Sequence, residues 1–431
     1  MEYIPILVLI ISFVGLLAIG TPVAWSIAIS SLLTMLVSIP VLPAVTTISQ
    51  RLATGLDSFA LLAIPFFILS GALMNNGGIA HKLIAFAKTL VGALPGGLAV
   101  INVISAMLMG AISGSAIASA SAMGGILGPE MEKEGYDREF GAAVNITSAT
   151  MGLVIPPSNI LIVYSLASGG ASIAALFLAG YIPGLLTGFF LIVLASFWAK
   201  KKGYDVGKRS SFKEVFKTFV DALPVLFLLV LVIGGIVAGI FTATEASAIA
   251  VLYSLVLGFI YKEITFKKLP KIFLDSSATT AIVMLLIGAS MSMSWVLSYE
   301  HIPQEISTGL LDMTNNKIMI LLLINLILLL VGIFMDITPA VLIFTPIFLP
   351  VVTQLGIDPV HFGIVMILNL CIGLCTPPVG SVLFVGVGIA KTSIEKVVKP
   401  LLPLFLAMII ALFLITYIPQ LSLWLPSLFD L

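Results

Sequence analysis

Apolar runs of about 20 residues recur along this chain from end to end, parted by short polar stretches. Each run is long enough to cross a hydrocarbon layer of about 30 Å as a helix. The pattern therefore predicts an all-α polytopic membrane protein. Some runs are interrupted from within. At 113–115, 147–159, 332–339 and 373–381, Gly, Pro, Ser and Thr replace the expected aliphatic residues. Regions 97–128 and 318–354 read as apolar, break, apolar, the expectation for a re-entrant helical hairpin. Regions 139–168 and 361–390 read as discontinuous helices broken by the tandem prolines Pro156-Pro157 and Pro377-Pro378.

Composition excludes other classes. Of 431 residues, 60% are hydrophobic and only 9% charged, with a mean hydropathy of +1.22. A soluble domain carries about 25% charged residues, so a soluble enzyme, a nucleic-acid binder and a secreted disulfide scaffold are ruled out. The 20 basic and 20 acidic residues cancel, and no bulk field favours a polyanionic partner. Two cysteines and three histidines are too few for a disulfide framework or a multi-ligand metal centre. Met1-Glu2-Tyr3 lacks the basic start of a signal peptide.

The lysines set an orientation. They cluster at 200–217, 262–271 and 391–399, and the positive-inside rule assigns all three clusters to the cytoplasm. An even number of crossings must then separate successive clusters. Spans at 222–240 and 246–260 satisfy this, and 277–297 with 361–390 do so only if 318–354 enters and leaves on one side. The tally is about ten full spans plus two hairpins, with both termini periplasmic. The expected organisation is N-terminal scaffold helices (1–58), a first repeat (59–198), a cytoplasmic connector (199–221), further scaffold helices (222–275) and a second repeat (276–431). The connector is a solvated loop or an amphipathic helix on anionic headgroups.

The repeats show at an offset of 221–222 residues. Gly110 matches Gly332, Pro129 matches Pro350, Gly135 matches Gly356, and Phe140-Gly141 matches Phe362-Gly363. Gly152 then matches Gly373, the two proline pairs match, and Ser172-Ile173 matches Ser393-Ile394. An odd number of crossings, about five, separates equivalent elements, so the second copy is inverted. Inverted repeats with discontinuous helices are a signature of secondary transporters that bind substrate near the midplane.

Non-helical backbone at membrane depth must be satisfied by protein, water or an ion. Thr150, Ser158, Thr376 and Ser381 add hydroxyl oxygens beside the proline breaks, an uncharged oxygen-rich setting suited to a hard monovalent cation such as Na⁺. The alternative is a kinked helix that packs through glycine. Asp336 and Glu245 are the acidic residues suited to a proton relay; Glu245 reads equally as a helix-start residue, and Asp336 as a partner for hairpin-tip amides. Sodium coupling is the preferred expectation. Arg51, Arg138 and Arg209 all sit away from span centres, so an anion would be held by half-helix N-termini near 115–118 and 158–161 rather than by an arginine clamp. His81, His301 and His361, like Cys371 and Cys375, read as structural.

The stretches LLAIPFFILSGALM (61–74), SGSAIA (113–118), IPPSNILIVY (155–164), LFLAGYIPGLL (176–186), FTATEASAIA (241–250), FMDITPAVLIFTPIFLP (334–350), GIDPVHFGIVMILNLCIG (356–373) and TPPVG (376–380) resemble one family. It is the large membrane subunit of tripartite ATP-independent periplasmic (TRAP) transporters, the DctM and SiaM type. The resemblance runs over nearly the whole chain, with departures at Ala243, commonly proline, and Asn159, commonly apolar. It implies an ion-transporter-superfamily elevator fold in the bacterial inner membrane, with a scaffold and a mobile domain holding both hairpins. It further implies import of an organic acid with Na⁺, a small four-span membrane subunit and a periplasmic substrate-binding protein as partners, and no enzyme activity or organic cofactor. By position, one Na⁺ site would use Ser113, Ser115, Thr147, Thr150, Gly152 and Pro156. The other would use Gly332, Asp336, Gly373, Thr376 and Val379. Substrate would meet Ser115, Ala116, Ser158, Asn159, Thr338, Pro339, Gly380 and Ser381. Sialic acid or another sugar acid is the first expectation for that substrate, with C4-dicarboxylates also open. A stand-alone Na⁺/dicarboxylate symporter of similar fold is the alternative.

Overall fold

A computed structural model describes residues 4–204, 210–314 and 316–431, and among these every regular element is helical. Helices α1 (Ile4–Ala18), α2 (Val23–Ser38) and α3 (Val41–Thr54) lead through a 3-10 turn at Phe59–Leu62 into α4 (Ala63–Asn76). Next come α5 (Ile79–Val91), α6 (Gly97–Ser113), α7 (Ala116–Lys133), α8 (Arg138–Met151), α9 (Asn159–Ala167) and α10 (Ile173–Lys202). Helices α11 (Phe212–Val237) and α12 (Ala243–Ile260) carry the chain to α13 (Leu269–Tyr299). The remainder is α14 (Ile302–Met313), α15 (Lys317–Phe334), α16 (Ile337–Gln354), α17 (Pro359–Gly373), α18 (Ser381–Ala390), α19 (Ile394–Tyr417) and α20 (Gln420–Ser427). Eight helices among the described residues are long and apolar enough to cross a membrane. Exposed Leu, Ile, Val and Phe side chains, such as Leu185, Phe197 and Val230, cover their outer faces, as expected of a multi-pass membrane protein.

The breaks are narrower than the sequence suggests. Thr147 and Thr150 stay inside α8, Gly332 stays inside α15, and Thr338 and Pro339 already belong to α16. The lysine-rich connector is also shorter than 199–221. Its first lysines, Lys200, Lys201 and Lys202, form the last turn of α10. Beyond the loop, α11 begins at Phe212 because Ser211 and Glu214 form a reciprocal capping box (Ser211 N–H to Glu214 Oε2, 2.8 Å). Lys208 and Arg209, like Met1, Glu2 and Tyr3, lie outside the described residues.

The repeat is visible element by element, α5 to α10 being followed by α14 to α19 in the same order. Gly135 and Gly356 both adopt left-handed φ, +80° and +68°, where a hairpin's second arm turns into the next helix. Both proline pairs contain a cis peptide bond. The glycines matched between repeats also touch within each repeat. A Cβ on Gly110 would stand 2.6 Å from the Gly152 Cα, and one on Gly332 would stand 3.0 Å from the Gly373 Cα. Hairpin and broken helix thus cross backbone to backbone, as small residues permit in membranes.

The repeats also interlock. Helix α9 packs on α16, while α18 packs on α7 and α8. The Tyr164 ring lies against Gly363, and its hydroxyl donates to the Pro359 carbonyl at 2.6 Å. A second group of helices forms around α4, α12 and α13, with α2 and α3 against α13. There the Ser70 and Ser254 hydroxyls pair at 3.0 Å, and Thr244 Oγ1 donates to the Phe59 carbonyl at 2.9 Å.

Because Gly332 meets Gly373 with no room for a side chain, Gly332→Val should cost about 1–3 kcal/mol through overpacking. Gly128→Ala on α7 meets nothing within 4 Å and should leave stability unchanged or slightly raised. Thermal unfolding of the two purified variants in detergent checks the contrast.

Candidate functional site

Each hairpin and each broken helix changes direction at a defined break. In the first hairpin Gly114 takes φ +63°, and Ser115 is extended so that its Oγ accepts the Ala118 N–H at 3.2 Å as the cap of α7. Ser113 Oγ donates to the Ser115 carbonyl at 3.2 Å. In the second hairpin Asp336 caps α16, its Oδ1 accepting the Ile337 N–H at 2.8 Å. The broken helices restart at Asn159 and Ser381. Ser158 Oγ donates to the Leu153 carbonyl at 2.5 Å, and the Gly380 N–H donates to the Thr376 carbonyl at 3.2 Å.

These four restarts converge. Ala116, Asn159, Ile337 and Ser381, the first residues of α7, α9, α16 and α18, all line one cavity of about 470 Å³. The opening amides of a helix have no intrahelical acceptor and carry roughly half a positive charge between them. Of these ends, α16 already holds the Asp336 carboxylate and α18 gives its Val382 and Leu383 N–H groups to the Leu374 carbonyl, so the ends open to an anion without any basic side chain are those of α7 and α9. The lining also takes residues from α4 (Ile64, Ile68, Gly71, Asn75, Asn76) and α13 (Asp275, Ser276, Thr279, Val283). Gly71 lets α4 meet the first hairpin tip directly, since a Cβ there would stand 2.9 Å from the Ser113 Cα.

Asp275 and Asp336 are the only formally charged residues of the lining, and neither belongs to an ion pair among the described residues. The hydroxyls of Ser276 and Ser381 are buried without a hydrogen-bond partner, and both residues line the cavity. The arginines serve elsewhere. Arg51 stacks 5.4 Å over Trp295, Arg138 forks onto Glu132 at 2.8 and 2.9 Å, and Arg209 lies outside the described residues.

Of the residues expected from sequence, Ser113, Ser115, Ala116, Asn159, Asp336, Thr338 and Ser381 meet at this cavity. The others do not line it. Ser158, Pro339 and Gly380 are buried directly behind it. Thr147, Thr150, Gly152 and Pro156 lie deeper, with Gly152 in the crossing of α6 and α8. Gly332 and Gly373 occupy the corresponding crossing of α15 and α17, followed by Thr376 and Val379 in the loop before α18. Thr147, Thr150 and Thr376 hydroxyls donate to helix carbonyls one turn back, at 2.9, 2.9 and 2.7 Å, which leaves their lone pairs free to accept. Glu245 is a helix-start residue, exposed and accepting from the Thr242 N–H and Oγ1, both at 2.8 Å. His361 is buried between Ser422 Oγ and the Thr416 carbonyl, both at 3.3 Å, while Cys371 and Cys375 are buried free thiols.

Asn75, Asn76, Asp275, Ser276 and Thr279 are the lining residues that sequence reasoning missed. For the α13 residues the signal is the polar run DSSATT at 275–280, whose first two residues fall outside the expected span 277–297. In the structure α13 starts at Leu269, which puts the run inside the helix.

The family model for the tripartite ATP-independent periplasmic transporter, DctM component, matches residues 10–421. The chain belongs to this family. It is 57% identical over 429 residues to the uncharacterized protein YgiK of Salmonella typhimurium, covering 99% of each chain. It is 39% identical to the isethionate TRAP transporter permease protein DctMQ of Oleidesulfovibrio alaskensis, over 98% of this chain and 67% of that protein. With the sialic acid TRAP transporter large permease protein SiaM of Vibrio cholerae it shares 38% identity, over 97% of this chain and 98% of the relative. Among solved structures, the Alcanivorax borkumensis YdaH transporter superposes with a TM-score of 0.66 at 14% identity, covering 89% of both chains. That last likeness concerns the fold alone. As a DctM-type large permease the chain is a transporter subunit, and the all-helical expectation holds among the described residues.

The first hairpin tip of this permease is shaped by Gly114, whose φ of +63° and contact with Asn159 (a Cβ would stand 2.6 Å from its Nδ2) admit no side chain. Gly114→Ala should lower transport at least tenfold while shifting the melting temperature by only a few degrees, because a left-handed alanine costs about 1–2 kcal/mol locally. Uptake and thermal unfolding measured on the same preparation check this.

Proposed function

We propose that this permease imports an organic acid together with Na⁺, taking it from a periplasmic binding protein and working beside a small four-span membrane subunit. The observation that carries the reading is the meeting of four helix N-termini in a cavity with two carboxylates and no basic side chain. Helix ends can hold a carboxylate, but they do not balance its charge together with Asp336 at membrane depth. Bound cations supply that balance, and this makes acid binding depend on sodium. One Na⁺ site would lie among Ser113, Ser115, Thr147, Thr150, Gly152 and Pro156. The other would lie among Gly332, Asp336, Gly373, Thr376 and Val379, where the uncharged oxygens and the single carboxylate suit a hard monovalent ion.

The packing suits an elevator. On this reading the two hairpins, the broken helices and their interlocked partners would move as one body against α2, α3, α4, α12 and α13, which pack on one another. The repeats would be inverted and the hairpins re-entrant. Asn75, Asn76, Asp275 and Thr279 are exposed, as is Asp336 at the second hairpin tip, whereas Ile64 is buried. The Asp275 end of α13 adjoins the loop bearing Lys262, Lys267 and Lys268, which the positive-inside rule assigns to the cytoplasm. The conformation is then cytoplasm-facing, in a bacterial inner membrane with both termini periplasmic. About a third of the Oleidesulfovibrio DctMQ relative lies beyond the match, room for a second membrane subunit in one polypeptide, and this supports the small-subunit partner.

One net charge moving inward down 100 mV supplies about 2.3 kcal/mol, so two Na⁺ with a monoanion can accumulate solute. The test is uptake of N-acetylneuraminate, gluconate or succinate into proteoliposomes holding this chain and its small subunit. Uptake should require both external binding protein and Na⁺, and Asp336→Asn should raise the Na⁺ concentration for half-maximal rate about tenfold or more. Uptake driven by a proton gradient with choline in place of Na⁺ would overturn the coupling. Sodium-driven uptake without binding protein would point to a stand-alone symporter.

A further inference from the structure

Asp275 lines the same cavity as the helix N-termini, one turn before Thr279 on α13. Its side chain is exposed and belongs to no ion pair among the described residues. The nearby Lys268 is engaged elsewhere, its Nζ donating to the Glu263 carbonyl at 2.7 Å. The lining has no basic residue to offset this carboxylate. Lys271 stands one turn before Asp275 on α13 without an ion pair to it among the described residues, so an anion leaving the helix ends meets an Asp275 charge that is only partly offset.

Helix α13 packs on α2, α3 and α4 and also lies against α16, the second arm of the second hairpin. Resting on the elevator reading above, Asp275 faces the bound acid only when the tips stand at the level of Gly71 and Asn75. We propose that Asp275 is a release residue: its charge lowers the affinity for the anionic substrate in the cytoplasm-facing state and speeds discharge. The same charge draws the departing Na⁺ outward. Neither effect changes the final accumulation, which the ion gradient and the voltage fix. Asp275 acts on rate alone.

The experiment uses the proteoliposomes described above, counting only flux that depends on external binding protein so that one orientation is read. The probe is whichever of N-acetylneuraminate, gluconate and succinate the wild-type protein takes up fastest. Asp275→Asn should lower the maximal rate about three- to tenfold, the scale of one like charge acting through a water-filled cavity. It should lower the apparent KM in parallel and leave the plateau of accumulation unchanged. Asp275→Glu should restore wild-type kinetics. Choline chloride raised inside the vesicles should slow the wild type toward the Asp275→Asn rate and leave that variant unmoved, because salt screens the charge.

An Asp275→Asn rate equal to wild type overturns the proposal. So does a fall in rate with unchanged KM that Asp275→Glu fails to rescue, which marks a structural role. Either result leaves sodium-coupled import standing. Absence of uptake of every probe by the wild type would instead remove the proposed function and this inference with it.

Discussion

Two crossings of bare backbone hold this structure in register, Gly110 on Gly152 and Gly332 on Gly373. In a bilayer no hydrophobic gain accompanies the pairing of two apolar helices, so close approach and van der Waals contact must hold them together. Glycine at both positions of each crossing brings a hairpin tip to the level of a helix break. That places the unpaired amides and carbonyls of both segments in one polar zone, away from lipid. Without the crossings the breaks would be isolated defects, each costing several kcal/mol.

The electrostatics of the cavity follow from this assembly. Four helix ends point into one space, and two carboxylates share it with no lysine or arginine. Positive helix ends and negative side chains thus face one space. Among the described residues no three His, Cys, Asp or Glu side chains gather where a metal ion would fit. The oxygen donors that remain are mainly hydroxyls and carbonyls.

Much of this was legible in the chain because its information is carried by glycine and proline. The matched pairs at 110 and 332, 152 and 373, and the two proline dipeptides fix backbone shape, and shape at membrane depth leaves few alternatives. The hairpins and broken helices appear within a few residues of the expected boundaries, and seven of the expected site residues share one cavity. The α13 part of the lining was not legible for a physical reason. Asp275, Ser276 and Thr279 lie on α13, a helix that runs past the apolar stretch used to find it. A polar run at the end of a span reads as a headgroup flank unless packing shows which side it faces. The contact of Gly71 with Ser113 was equally hidden, since it joins two elements that share no repeat relation.

The Tyr164 hydroxyl reaches the Pro359 carbonyl, 195 residues later in the chain, and its ring fills the place a side chain would occupy at Gly363. A ribosome adding about 5–20 residues per second needs about 10–40 s to make the partner of a tyrosine already in the membrane. During that interval the first half holds an aromatic ring and a half-helix end with nothing to cover them. Biogenesis of this permease therefore includes a waiting period in which the newly inserted half must be shielded by the insertion machinery or by lipid.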